Sequence, residues 1–362
     1  MATARLEELE SFLQKKPREL TVVTMPDFFL DRLVSLRSEL KAFYEDLTRV
    51  AKRKGGAIDN IAQEELRGGN AINTASALAA LGVNVVPIVC TNKLGLQLIR
   101  FYLKSRNVDL SHVKLFDNAS ITTALEFQAE GKKVNVMLRE VGSLAQFRMR
   151  DLNSDDLEAI ENADYTCVFN WVGTRHFGTE LAEGIFHHAK TRGKGKTYYD
   201  TADPTPNARE IPKLVKSVLC GQDVDILSLN ENEAVCYASH IGKPAETTGL
   251  PFDQRAKEAA KALAAHAHAR VDLHTTDFSA TFAGTREASA PAFNVPVLRA
   301  TGAGDAWNAG NILADAHQLS DECRLTLANA VAASYISSPS GTHATLKQLA
   351  KFCTKMKKRE AT

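Results

Sequence analysis

The chain has 362 residues, with 44 Lys and Arg against 43 Asp and Glu, a formal net charge of +1. That balance gives no field to hold nucleic acid or an anionic membrane surface, and no apolar run reaches the length of a membrane span. The length admits one large α/β domain with an appendage, or two modest domains.

Met1 to Pro17 is rich in Glu, Leu and Lys and lacks a signal-peptide core, so it predicts a peripheral helix (an extension over 1–19) and a cytoplasmic protein. Cys90, Cys167, Cys220, Cys236, Cys323 and Cys353 are scattered with no CxxC pair, which predicts reduced thiols and neither zinc nor disulfides. Leu20 to Thr24 reads as the first strand, ending in a loop at Met25, Pro26 and Asp27. A charged, helix-like stretch runs from Leu33 to about Lys54 and breaks at Gly55 and Gly56. After Arg67, Gly68 and Gly69, a helix spans Asn70 to Leu81 with Gly82 as its stop. Val83 to Cys90 reads as a strand.

Ile121 to Gln128 and Lys133 to Leu138 alternate like half-exposed strands, with Glu130 and Gly131 as the turn of an antiparallel hairpin. From Tyr165 strands and helices alternate over 165–170, 179–191, 196–200, 208–219, 224–229, 254–269 and 271–275, and helices follow at 305–318 and 321–337. The expected fold is a doubly wound, mainly parallel α/β sheet flanked by helices over 20–350, carrying a small β appendage, with a basic tail over 351–362.

Three segments could carry chemistry. Gly302, Ala303 and Gly304 precede a helix that begins near Asp305. Small residues let a backbone approach a ligand closely, and the free N–H groups of a helix start bind phosphoryl oxygens. Asp305 beside them is placed to take a proton from an attacking hydroxyl, or simply to cap the helix. Gly69, Asn70 and Asn73 also sit at a helix start, where the amides could bind sugar hydroxyls or cap. Asn230 and Glu233 follow a strand, where they could organise Mg2+ through water or form a capping box.

In this order, the segments resemble the ribokinase, or PfkB, family of carbohydrate and nucleoside kinases. Arg67–Ala75 with Leu81-Gly82 is similar to its first signature, Ala300–Gly310 to its second, and Asn230–Glu233 to its NxxE motif. The resemblance implies ATP and Mg2+ as cofactors and Asp305 as base. It implies an anion hole at Gly302, Ala303 and Gly304, and Mg2+ and phosphate contacts from Asn230 and Glu233. It places Gly69, Asn70 and Asn73 on the substrate side with Asp31, or Asp27 second to it, gripping hydroxyls. Thr276, Thr301 and Asn329 fall to the ATP side. The segments near 33–66 and 115–145 become a lid over the substrate that can form a homodimer contact.

Three positions depart from that pattern. Arg299 replaces an acidic residue that, in many members, helps bind a monovalent cation, so activity is expected not to need K+. Thr276 and Ser279, in the loop from Leu273 to Ala280, replace the glycines of the family's nucleotide turn, where φ > 0 is costly for other residues.

The remaining candidates have bland readings. His176, His187, His188, His266, His268 and His274 show no metal spacing and read as surface residues. Trp171 could stack on substrate but fits the core. Asp200 and Asp203 could face phosphates or form turns. The leading function is phosphoryl transfer from ATP to a small sugar or similar polyol. The alternatives are a nucleoside kinase, for which Phe116, Phe127 and Phe147 are possible base-stacking residues, and a catalytically silent sugar- or nucleotide-binding regulator on the same fold.

Overall fold

The computed structural model describes residues 2–104, 107–129, 132–242, 249–299 and 301–360. The turn residues Glu130 and Gly131, and Ala300 of the second signature, lie outside them. The elements run α1 (Ala2–Gln14), β1 (Thr21–Met25), β2 (Phe29–Glu39), α2 (Leu40–Lys52), β3 (Ala62–Gly68), α3 (Asn70–Ala80), β4 (Asn84–Pro87), β5 (Cys90–Thr91), α4 (Lys93–Tyr102) and β6 (Lys114–Leu115). Then come β7 (Ser120–Ala129), β8 (Lys132–Glu140), α5 (Ser154–Asn162), β9 (Tyr165–Phe169), α6 (Gly178–Arg192), β10 (Lys196–Asp200), α7 (Ile211–Leu214) and β11 (Ile226–Leu229). The last are α8 (Glu231–Ala238), α9 (Phe252–His266), β12 (Arg270–His274), β13 (Phe278–Ala283), β14 (Arg286–Pro291), α10 (Ala303–Ala316), α11 (Asp321–Ile336) and α12 (Leu346–Glu360).

The central sheet has eight strands in the order β14-β13-β12-β11-β10-β9-β1-β4, parallel from β4 to β12 and antiparallel beyond. Its middle strands are buried on both faces, as parallel sheets with crossover helices require; every residue of β9 and β11 is buried. One face packs on α1, α3, α10, α11 and α12 through residues such as Leu78, Ile312 and Leu349. The other packs on α5, α6, α7 and α9 through Ile160, Ile185, Leu214 and Leu263. No helix among the described residues is long and apolar enough to cross a membrane.

The N-terminal helix belongs to this packing: Leu9 is fully buried, and the Ser320 N–H donates to Glu8 Oε1 at 2.8 Å. The stop after α3 is built as expected. Gly82 takes φ +88°, the Gly82 N–H donates to Ala79 O and the Val83 N–H to Leu78 O, the paired bonds of a Schellman motif.

The appendage is a separate four-stranded sheet, β3-β2-β7-β8, with the expected hairpin as β7–β8. Two expectations are corrected. The stretch from Leu33 is a strand to Glu39 and a helix only from Leu40, because β2 gains ladder partners on both sides, β3 and the distant β7. The run Val83 to Cys90 is two strands in different sheets; Pro87, which has no N–H to donate, ends the first.

Candidate active site

The C-terminal ends of β1, β9, β10, β11 and β12 open on one side of the sheet, where α/β folds place ligands. There α10 begins. Gly302 caps it at φ +87°, and a Cβ at this position would lie 2.8 Å from Tyr335 Oη, so only glycine fits. Its carbonyl accepts from the Ala306 N–H at 3.1 Å, leaving the N–H groups of Ala303, Gly304 and Asp305 without helical partners.

Asp305 is buried at the third position of this helix. Its carboxylate accepts from Asn70 Nδ2 at 2.8 Å and from Asn73 Nδ2 at 3.0 Å. The two amides expected on substrate hydroxyls therefore grip the candidate base. Arg67 Nε donates to Asn73 Oδ1 at 2.9 Å, which fixes the orientation of that amide. Burial, then the charges of Asp200 and Asp27, hold Asp305 well above the usual carboxylate range, although the amides pull it back. A base so shifted accepts a proton more readily near neutral pH.

Asp31 and Asp27 have different positions. Asp31 lines the cavity under the appendage and is pushed up to about 6, chiefly by burial, with the Thr122 hydroxyl and Arg139 opposing. Asp27 sits beneath the site and caps α3: it accepts from the Asn70 and Ala71 N–H groups at 2.9 Å each and from Asn170 Nδ2 at 2.7 Å. Gly69, at φ +90°, lets α3 approach this segment, since a Cβ there would stand 2.8 Å from Phe28 Cα.

Asn230 and Glu233 form the capping box. Asn230 Oδ1 accepts from the Glu233 N–H at 3.0 Å, and Glu233 accepts from the Asn230 N–H at 2.9 Å and from Asn230 Nδ2 at 2.7 Å. Burial and Asp200 raise Glu233 well above its ordinary range. Asp200 accepts from Asn308 Nδ2 at 2.6 Å, and Asp203 holds a turn by accepting from Thr205; both face the same cavity as Glu233. Among the described residues, no three His, Cys, Asp or Glu side chains converge to ligate a metal directly. A buried cluster of like charges with spare carboxylate lone pairs fits a hydrated cation instead.

Two cavities meet at Asp305. One, of about 900 Å³, runs along Asn230, Glu233, Thr276, Phe293, Gly302 and Asn329. The other, of about 890 Å³, lies under the appendage. Asn70, Gly302 and Asp305 line both. Thr301 lines only the appendage-side cavity, away from the expected ATP side. Asn329 borders the 900 Å³ cavity, but its amide is engaged: Oδ1 accepts from Trp307 Nε1 at 2.8 Å and Nδ2 donates to Pro291 O at 3.0 Å.

The loop after β12 solves its turn without glycine. No residue of 273–280 has positive φ; Thr275 Oγ1 instead accepts from the Asp277 and Phe278 N–H groups. His274 is not a surface residue: it packs on Trp307 at 5.0 Å in the cavity wall, and burial lowers its pKa. Trp171 is in the core, its Nε1 donating to Thr179. Phe116, Phe127 and Phe147 do not line the appendage-side cavity; Phe29, Phe101 and Tyr102 do. Arg299 Nη2 donates to Pro339 O at 3.1 Å and the guanidinium lies against Gly341, joining the loop before α10 to the loop after α11. Arg67, Tyr335 and His343 also line that cavity and carry no assigned role.

The pfkB family carbohydrate kinase model matches residues 40–348. No curated protein matches the sequence. The fold is similar to Arabidopsis thaliana ribokinase complexed with ribose and ATP (TM-score 0.69, 20% identity, covering 93% of this chain and 99% of that one). It is also similar to adenosine kinase from Sinorhizobium meliloti (TM-score 0.68, 18%, 95% and 100%) and to fructokinase with bound ATP from Xylella fastidiosa (TM-score 0.68, 15%, 93% and 99%). The fold is ribokinase-like, and the chain belongs to the pfkB family of carbohydrate kinases, which makes it a phosphotransferase with an alcohol group as acceptor.

Proposed function

We propose that the protein transfers the γ-phosphoryl group of ATP to a hydroxyl of a small sugar or sugar-like acceptor, with Asp305 as the base. The observation that carries this reading is the placement of Asp305 and the α10 N-terminus where two cavities, each near 900 Å³, meet. ATP occupies the cavity bounded by Asn230, Thr276 and Asn329, and the acceptor lies under the appendage beside Asp31, Asn70 and Asn73. The acceptor O–H gives its proton to the Asp305 carboxylate as its oxygen bonds the γ-phosphorus. The bond to the β-phosphate oxygen breaks and ADP leaves. The N–H groups of Ala303, Gly304 and Asp305 face the charge on the transferring group.

Asn230 and Glu233 would hold Mg2+ through water, and the ion, when bound, would offset phosphate charge. Arg299 supplies a fixed positive charge between the loops flanking the anion hole, so activity is independent of K+. Ile121, Val136 and Leu138 share the outer face of the appendage and are exposed, which supports a homodimer through that face. The test is ATP consumption against a panel of sugars and nucleosides, with Asp305→Asn as control. Turnover of an acceptor by the parent alone is the expected result; if no compound turns over, or the variant matches the parent, the reading fails.

A further inference from the structure

We infer that the acceptor is itself an anion, carrying a carboxylate or phosphate group that Arg67, Arg299 and His343 receive under the appendage. This rests on the kinase reading above and names its substrate class. Arg67 is the penultimate residue of β3 and is half-buried in the appendage-side cavity. Its Nε orients Asn73; one N–H suffices for that, and both Nη groups remain for another partner. Arg270 and Arg324, whose side chains are 11% and 1% exposed, are matched by acids: Arg270 pairs with Asp272 and Asp315, and Arg324 with Asp272 and Asp321. Among the described residues no carboxylate forms an ion pair with Arg67. A half-buried guanidinium that feels the charge of Asp305 but has no carboxylate in contact keeps part of its desolvation cost, and an arriving anion offsets it.

Two further groups point the same way. Arg299 uses Nη2 on Pro339 O, while its Nε is buried with no partner among the described residues. His343 stacks on Tyr335 with ring centroids 4.6 Å apart, and its Nδ1 lies 3.1 Å from Ser76 Oγ. Its Nε2 is buried and likewise unpartnered. Burial and the Arg67 charge keep this ring neutral. With Nδ1 accepting from Ser76, Nε2 carries the proton and can donate it to an anion. All three side chains line the cavity that holds Asp305. Among the acids that line it, Glu65 accepts from Arg32, Asp31 lies beside Arg139 and Asp305 holds the two amides, while Glu64 and Glu126 line it as well. Arginine forks match carboxylate and phosphate geometry equally, so the two sources share one site chemistry.

The test uses matched acceptors, an aldose against its aldonic acid, its uronic acid and its terminal phosphate monoester, with ATP. The parent, Arg67→Gln and Arg67→Lys are compared, and the same compounds are added without nucleotide in thermal-shift measurements. An acidic member is expected to be preferred in kcat/KM by about 10- to 100-fold, the size of one or two charge-assisted hydrogen bonds. Arg67→Gln should erase the preference through the acceptor KM, and Arg67→Lys should keep part of it. Which acid wins separates carboxylate from phosphate. Preference for the neutral aldose overturns the inference while leaving the kinase reading intact. So does an equal loss on neutral and acidic members, which would mean that Arg67 only positions Asn73. A loss confined to the KM for ATP overturns it too, by assigning Arg67 to the γ-phosphate. If nothing turns over, but an acid raises Tm and Arg67→Gln abolishes the rise, the anion site stands and the kinase reading falls. Neither turnover nor a rise in Tm overturns both.

Discussion

Replacing Asp305 with Asn separates chemistry from architecture at the centre of the site. The carboxylate holds two amides, Asn70 Nδ2 at 2.8 Å and Asn73 Nδ2 at 3.0 Å. An Asn side chain offers one oxygen and one NH2, so one amide must adapt. Asn73 is pinned, because its Oδ1 accepts from Arg67. Asn70 Oδ1 has no hydrogen-bond partner among the described residues, and rotating that amide by half a turn accepts the new NH2. Every buried hydrogen bond is then kept. The charge change also favours the variant: burial, Asp200 and Asp27 raise Asp305. For an acid raised in the fold, ionisation costs stability above its ordinary range, and that cost is recovered as pH falls. Removing the charge removes the cost. Tm at pH 7.5 is therefore expected to equal or exceed that of the parent. Loss of the base should lower kcat by about 100- to 10,000-fold, or about 3–5 kcal/mol of barrier. Differential scanning fluorimetry and steady-state kinetics with a turned-over acceptor read the two effects. A kcat within tenfold of the parent, at unchanged Tm, would refute Asp305 as the base. A Tm several degrees lower would refute the account of Asn70.

Other expected outcomes follow from single contacts. Because Asp31 titrates at about 6, kcat/KM for the acceptor should fall as pH drops through that value, and Asp31→Asn should lose this limb; an unchanged profile in the variant refutes the role. Arg324 is buried against Asp272, Asn311, Thr281 and Asp321, so Arg324→Met should cost about 1–3 kcal/mol in urea unfolding, by removing one of the two guanidiniums on buried Asp272 and the donor to Asn311 Oδ1. Rates in K+ and in tetramethylammonium should agree within about twofold if Arg299 takes the cation's place; strong activation by K+ would end that idea. Ile121→Lys on the outer face of the appendage should shift a dimer to monomer by sedimentation, and a parent that already sediments as a monomer excludes the dimer.

Local signals carried much of this fold. The Asn70 helix, its Gly82 stop and the Asn230–Glu233 box are short-range devices whose bonds all lie within a few residues, so spacing alone anticipates them. What escaped depends on distant partners. Leu33 to Glu39 runs without a break into the charged helical stretch that follows, yet pairs with β7 some ninety residues on. Asn329 borders the cavity as its place in the chain suggests, but that Trp307 Nε1 engages its oxygen is seen only in the packed structure. His274 reads as surface until β13 and α10 close over it.

The candidate base is legible in the chain as a position but not as an environment. Asp305 at the start of a small-residue helix is visible in the chain; the amides that hold it lie 232 and 235 residues away. Arg67 shows the limit most clearly. It stands directly before Gly68 and Gly69, inside a segment that already draws attention, and by type it could be any strand arginine. Its meaning comes from what surrounds it in space: Asn73 on one nitrogen, Tyr335 and His343 from the far end of the chain, the charge of Asp305, and no ion-paired carboxylate among the described residues. A sequence displays where charges are. Only the packed structure shows which of them lack a carboxylate in contact, and a guanidinium so placed near the candidate base bears on what the site receives.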